Sequence, residues 1–179
     1  MNTAQQFDQI AKNCIELFSK KAIDYGTAWR ILRTSSLTDQ IYIKAQRIRS
    51  IEEKGVARID EGIIPEFIGI VNYSVMALIQ LEIGVATSIE EQFDVNQAIE
   101  LFKKHIQNAK NLMMDKNHDY DEAWRNMRVS SLTDIILMKL MRIKQIENND
   151  GKTIVSEGLA ANYFDIINYA VFALIKLTL

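Results

Sequence analysis

Apolar residues recur along this chain at intervals of three and four. Phe7, Ile10, Ala11, Cys14, Leu17 and Phe18 make one such stripe, and Ile99, Phe102, Ile106, Ala109 and Leu112 or Met113 make another. That spacing belongs to a helix with one buried face, and it predicts helices over the first segment and over Ala98 to Met113. A short element follows the first of these, over Gly26 to Arg33, with Asp24 placed to cap it. Ser36-Leu37-Thr38-Asp39 then reads as a capping box, and Ser131-Leu132-Thr133-Asp134 repeats it. Each predicts the start of a helix, ending near Gly55 in one case and near Asn148 to Gly151 in the other.

Two further stretches, Pro65 to Ile83 and Ala160 to Leu177, are apolar nearly all round. Pro65 sits where a first helical turn needs no N–H from it. A membrane span needs roughly 20 apolar residues with few polar ones. Asn72, Ser74 and Gln80 interrupt the first stretch, and Asp165, Asn168 and Lys176 the second. Both are therefore predicted as central buried helices, the natural interface between two halves. One proline and seven glycines are too few for a turn-rich β protein, so no strands are expected.

The halves are visible as a duplication. At an offset of 95, 18 of the 36 positions between residues 24 and 59 are identical to those between 119 and 154. The identities gather in Asp24-Tyr25…Ala28-Trp29-Arg30…Arg33…Ser35-Ser36-Leu37-Thr38-Asp39 and its counterpart. That counterpart is Asp119-Tyr120…Ala123-Trp124-Arg125…Arg128…Ser130-Ser131-Leu132-Thr133-Asp134. One extra residue moves the offset to 96, after which Glu61-Gly62 matches Glu157-Gly158 and Asn72-Tyr73 matches Asn168-Tyr169. The unit is longer than a solenoid repeat of roughly 20–50 residues. The expectation is an all-α protein of two tandem four-element repeats, residues 1–86 and 92–179, packed as a pseudo-twofold internal dimer in one compact body. Gly84 to Phe93 is the one linker candidate, too short and apolar to suggest independent beads.

A formal charge of −2 among 179 residues gives no electrostatic reason to bind a nucleic-acid polymer. The lone Cys14 lies among apolar positions and cannot form an internal disulfide. A buried thiol in a reducing, cytoplasmic compartment is the expectation, with no signal peptide in the first residues and no membrane partner. His105 and His118 lack zinc-ligand spacing, and neither a glycine-rich phosphate loop nor a nucleophile elbow is present.

Candidate chemistry comes from charges on apolar faces. The seam Leu37, Ile41, Lys44, Ile48, Ile51 puts a lysine among core positions, with Arg47 on its flank. Leu132, Ile136, Lys139, Ile143 and Ile146 repeat it, with Arg142 alongside. An inward cation must find an anion, because an unpaired buried charge is expensive. That anion is either an internal carboxylate (Glu61, Glu157 or Asp165) or the phosphate of a ligand. The Asp-Tyr…Ala-Trp-Arg phrase is equally divided. As structure, Tyr25 and Trp29 anchor the core and Arg30 and Arg33 are solvated. As function, an aromatic ring beside two arginines suits a stacked base and its phosphates. A Mg2+ site would draw on Glu61, Glu66, Glu157 and Asp165, yet Glu66-Phe67-Ile68-Gly69 and Asn162-Tyr163-Phe164-Asp165 each keep only one end of a carboxylate pair.

At these residues the chain resembles the nucleotide modification associated domain 1 family. That helical family of bacteria and phages is itself linked distantly to the all-α nucleoside triphosphate pyrophosphohydrolases of the MazG and dimeric dUTPase kind. The matching phrases are Lys21…Asp24-Tyr25-Gly26 with Ala28-Trp29-Arg30, Lys44…Arg47-Ile48, and Glu61 with Asn72-Tyr73. In the second copy they are Lys116…Asp119-Tyr120, Lys139…Arg142-Ile143, and Glu157 with Asp165…Asn168-Tyr169. The resemblance implies a nucleotide or nucleotide-like ligand on Lys44, Arg47, Lys139, Arg142, Arg30, Arg33, Arg125, Arg128, Asp24, Tyr25, Asp119, Tyr120, Asn72 and Asn168. It also implies Mg2+-dependent pyrophosphohydrolysis or an accessory role in modified-nucleotide metabolism. The fuller family pattern carries acidic residues four and eight after the glutamate. Here those places hold Pro65 and Gly69 in one copy and Ala161 and Asp165 in the other, so only Asp165 fits. The competing reading is a non-catalytic helical scaffold whose charges pair internally. Self-association is compatible with either.

Overall fold

In a computed structural model, which describes residues 1–55, 62–88, 91 and 93–179, the chain forms six α-helices and no strand among those residues. The helices are α1 (Thr3–Tyr25), α2 (Thr34–Lys54), α3 (Ile64–Ile83), α4 (Val95–Tyr120), α5 (Val129–Asn148) and α6 (Leu159–Thr178). Single 3-10 turns, Ala28–Ile31 and Ala123–Asn126, stand between α1 and α2 and between α4 and α5. The four-element order of the first copy is therefore repeated in the second.

Local chemistry sets the ends. Asn2 caps α1 through a reciprocal box: its side chain accepts from the Gln5 N–H at 2.9 Å, and the Gln5 side chain accepts from the Asn2 N–H at 3.0 Å. Gly55 closes α2 in the left-handed region, φ 71°, which glycine enters without a Cβ penalty. The serine boxes are corrected. Both helices start three residues earlier than the boxes predict, with Arg33 and Arg128 at the cap position and no side-chain cap bond. Ser36 and Ser131 lie inside the first turn, where their own N–H groups are taken by the carbonyls of Arg33 and Arg128 at 3.0 Å. Asp24 is corrected too. α1 runs on through Tyr25, so Asp24 is a residue of its last turn and Thr27 precedes the 3-10 turn.

Each helix packs against its own counterpart in the other copy: α1 on α4, α2 on α5 and α3 on α6. The helices α3 and α6 also lie on α2 and α5 of their own copies, which gives one continuous core. Phe7 and Phe102, at equivalent positions, are both fully buried, as are Phe67 and Tyr163. Burying an aliphatic or aromatic side chain of this size stabilises by about 1.5–3 kcal/mol, and dozens of such side chains supply the driving force. Among them Phe18 of α1 stacks on Phe102 of α4 at 4.4 Å.

The helix α3 is long and apolar enough to cross a membrane, but most of it is buried against the rest of the chain. Its polar interruptions are employed there. Gln80 donates to the carbonyls of Arg30 and Leu32 at 2.8 and 2.7 Å, and Asn72 donates to the Cys14 carbonyl on α1 at 3.3 Å. Asn168 repeats the second tie, donating to the Ala109 carbonyl on α4 at 3.1 Å. The segment joining the copies is fastened to the first 3-10 turn. Ala86 N–H donates to the Arg30 carbonyl at 2.8 Å, and the buried Thr27 hydroxyl bonds both backbone groups of Phe93.

Candidate functional site

Two pockets of nearly equal size, about 470 and 490 Å3, lie at equivalent places in the two copies. The first is lined by Lys21, Tyr25, Trp29, Lys44, Asn72 and Tyr73 together with Glu66, Gly69 and apolar neighbours. The second is lined by Lys116, Tyr120, Trp124, Lys139, Asn168 and Tyr169 together with Asp165, Glu157 and apolar neighbours. The end of α1 or α4 brings one lysine and a tyrosine, the 3-10 turn brings the tryptophan, and α2 or α5 brings the seam lysine. The asparagine and second tyrosine come from α3 or α6. Both volumes fall in the roughly 300–1,000 Å3 range of small-molecule sites.

Tyr25 and Tyr120 do not anchor the core. They are 75% and 71% exposed, each at the mouth of its pocket. The tryptophans pack against the core instead, Trp29 half-buried and Trp124 buried, and Trp124 stacks on Phe172 at 4.2 Å. Among the described residues, the indole Nε1 of both tryptophans and the Oδ1 of both Asn72 and Asn168 are buried without a hydrogen-bond partner. Most buried polar groups are satisfied, so four orphans at repeat-equivalent positions, all on pocket-lining residues, call for a physical account.

The seam lysines find carboxylates. Lys139 bonds Asp165 Oδ2 at 2.8 Å and Lys116 bonds Asp165 Oδ1 at 2.7 Å, so both oxygens are engaged. Burial pulls the Lys116 ammonium down, but the hydrogen bond to Asp165 and the nearby Glu157 outweigh it and leave its pKa above the usual lysine value. In the first copy the carboxylate sits one turn earlier, on Glu66. Arg47 holds it at 2.6 Å, while Lys44 stands at 3.4 Å. Asn162 occupies the place of Glu66 in the second copy, and there it donates to the Gly158 carbonyl.

None of the described arginines lines either pocket. Arg30 is buried and turned inward, donating to the Gly84 carbonyl at 2.6 Å and facing the Phe93 ring at 5.4 Å, which corrects its reading as solvated. Burial lowers its pKa, and Glu91 works against that. Arg125 lies over Trp124 and ties the 3-10 turn to the start of α1 through Glu122, Thr3 and Gln6. Arg33 and Arg128 are exposed at helix starts, and Asp24 and Asp119 are exposed at helix ends. Arg142 lines a separate, shallower groove of about 810 Å3 beside the second pocket, with Lys152, Glu157 and Asn162.

A Mg2+ ion asks for several oxygen ligands in near-octahedral array. The described residues do not fit that demand: Glu66 and Asp165 are each committed to two cations. No three acidic, histidine or cysteine side chains converge among the described residues. Glu157 is exposed, and Glu61 lies outside the described residues. Lys21, Lys116, Trp29, Trp124, Tyr73 and Tyr169 line the pockets although the charge-on-a-seam reading does not select them. The signal for each was its recurrence at offset 95 or 96.

The fold and these pockets define a duplicated all-α protein with one polar, aromatic-walled cavity per copy. The sequence model of the family described as nucleotide modification associated domain 1 matches residues 21–81 and again residues 116–177, and the chain belongs to that family. No curated protein and no solved structure matches it.

Proposed function

We propose that this protein binds a nucleotide, or a small molecule built like one, in its repeat-related pockets. The observation that carries the reading is the set of four orphaned buried atoms, an indole N–H donor and an asparagine carbonyl acceptor on residues that line each pocket. A base edge offers the complementary acceptor and donor, and tyrosine and tryptophan rings offer faces on which a base stacks. The lysine pair of the first pocket, Lys21 and Lys44, suits phosphate oxygens. The family's description points the same way. The like-with-like pairing of helices supports a fused internal dimer with approximate twofold symmetry, so that two sites come from one ancestral design. The lone buried thiol and the formal charge of −2 fit a small-molecule binder in a reducing cytoplasm.

Hydrolysis between phosphates would need oxygen ligands that the described carboxylates do not assemble. Binding is therefore the core of the proposal, and modified-nucleotide metabolism its setting. A specific observation also favours the other reading, a helical scaffold: Asp165 closes a charge network with Lys116 and Lys139 without any ligand. Calorimetric titration with a panel of nucleoside mono-, di- and triphosphates, with and without Mg2+, separates the two. The nucleotide reading expects saturable heat with at least one of them. No heat at millimolar concentration with any of them contradicts it and leaves the scaffold.

A further inference from the structure

The two pockets use the same positions, and the two copies carry the same kinds of charged residue around them. What differs is where the carboxylate stands. In the second copy Asp165 projects among the pocket-lining residues and takes one lysine on each oxygen, at 2.7 and 2.8 Å. In the first copy that position is Gly69, which has no side chain to offer Lys21. The carboxylate there is Glu66, which also lines its pocket but one helical turn earlier, and Arg47, itself outside the pocket, holds it at 2.6 Å.

We propose that position 69/165 decides which pocket receives a phosphate: the first copy binds the phosphate-bearing nucleotide, and Asp165 closes the second copy to anions. This inference rests on the nucleotide reading above.

The asymmetry follows from what an arriving phosphate must displace. In the first pocket Lys21 is exposed, and among the described residues Lys44 has a 3.4 Å approach to Glu66 and a place 5.8 Å from the Tyr73 ring centre to give up. Glu66 then keeps Arg47, so no carboxylate is stranded. In the second pocket a phosphate would meet Asp165, whose side chain is only 9% exposed, and would have to separate it from Lys139, whose side chain is 12% exposed. Breaking such a buried pair while adding a like charge disfavours the anion by at least about a hundredfold. The same lysines that would grip a phosphate in one copy are spent on an internal partner in the other.

The test is a reciprocal exchange read by calorimetry with the nucleoside triphosphate that binds most tightly. The wild-type chain is expected to take one equivalent. Glu66→Asn/Gly69→Asp gives the first pocket the second's arrangement and should weaken binding about a hundredfold. Asn162→Glu/Asp165→Gly gives the second pocket the first's arrangement, with Arg142 in the role of Arg47, and should add a second equivalent. Lys21→Met alters only an exposed side chain, so its fold is secure, and it should weaken binding by about tenfold or more. Two equal sites in the wild type, or undiminished binding by Lys21→Met and by Glu66→Asn/Gly69→Asp, overturns the assignment while the nucleotide reading stands. No binding by the wild type or by Asn162→Glu/Asp165→Gly overturns both.

Discussion

The Lys44 side chain lies across Gly69: a Cβ on that glycine would stand 2.6 Å from both Cδ and Cε of the lysine and 3.1 Å from its Nζ. The glycine is what lets the lysine stem cross α3 to reach Glu66. The second copy has Asp165 at this place and its lysine stops there, 2.8 Å from the carboxylate. One position thus sets the course of the seam lysine in each copy.

Gly69→Ala tests how firmly that course is held. Alanine in a helix interior gains about 0.5–1 kcal/mol over glycine. The obstructing atoms belong to the far end of a flexible side chain, and Arg47 continues to hold Glu66. The melting temperature is expected to stay level or rise by a few degrees. A fall of more than about 4 °C means that Lys44 cannot leave its place.

Removing Lys44 and removing Asp165 differ in what they strand. Lys44→Met leaves Glu66 on Arg47, and Lys44 is partly exposed, so the loss should stay under about 1 kcal/mol. Asp165→Ala leaves Lys116 and Lys139 together without their shared acceptor and should cost about 3–5 kcal/mol. Urea unfolding of the two variants checks the order. Equal losses contradict it.

The starts of α2 and α5 give a second contrast. Ser36→Ala and Ser131→Ala should each cost less than about 0.5 kcal/mol, because neither serine caps its helix. Thr38→Val should cost about 1–3 kcal/mol. The Thr38 hydroxyl donates to the Thr34 carbonyl at 2.9 Å and accepts from the buried Tyr163 hydroxyl at 2.6 Å, so its loss leaves that phenol unpaired. Chemical denaturation of the three variants distinguishes the roles.

These starts also show what was legible in the sequence. The apolar stripes and the duplication carried the helices, their order and their buried faces, since burial imposes a period that survives in one sequence. The seam lysines were legible as needing an anion. The caps were not: Ser-x-x-Asp satisfies the capping pattern, but the backbone of Arg33 and of Arg128 enters the helix first. Nor was the direction of Arg30, because a 3-10 turn can aim the residue after a tryptophan inward or outward with the same letters. The pocket's lower lysines, Lys21 and Lys116, sit on the polar flank of long helices, and only the tertiary packing of α3 and α6 brings Asn72 and Asn168 beside them.

The contact between α2 and α5 should respond to acid. Glu52 bonds Thr133 at 3.2 Å, and Glu147 is its counterpart near Thr38. Burial raises the pKa of both carboxyls above 4.5, reinforced by Asp134 beside Glu52 and Asp39 beside Glu147. The threonine bonds, Arg49 and Lys144 oppose the shift. A raised carboxyl pKa means that the folded state holds its proton more tightly, so the ionised form weakens the fold at neutral pH and is relieved as pH falls through the raised value toward 4.5. Glu52→Gln and Glu147→Gln should therefore melt above wild type at pH near 7, with the gain shrinking on acidification. A gain that does not change with pH contradicts the assignment.

Trp29 offers the most direct reading of the central claim, since it lines the first pocket and its indole N–H has no partner among the described residues. In the Trp124→Phe variant it is the sole tryptophan, because the chain holds two. Its fluorescence is to be followed while a nucleoside triphosphate is added to the folded protein. The account predicts a saturable change in emission that Lys21→Met weakens. Emission that stays constant up to millimolar nucleotide, for every base tried, contradicts it.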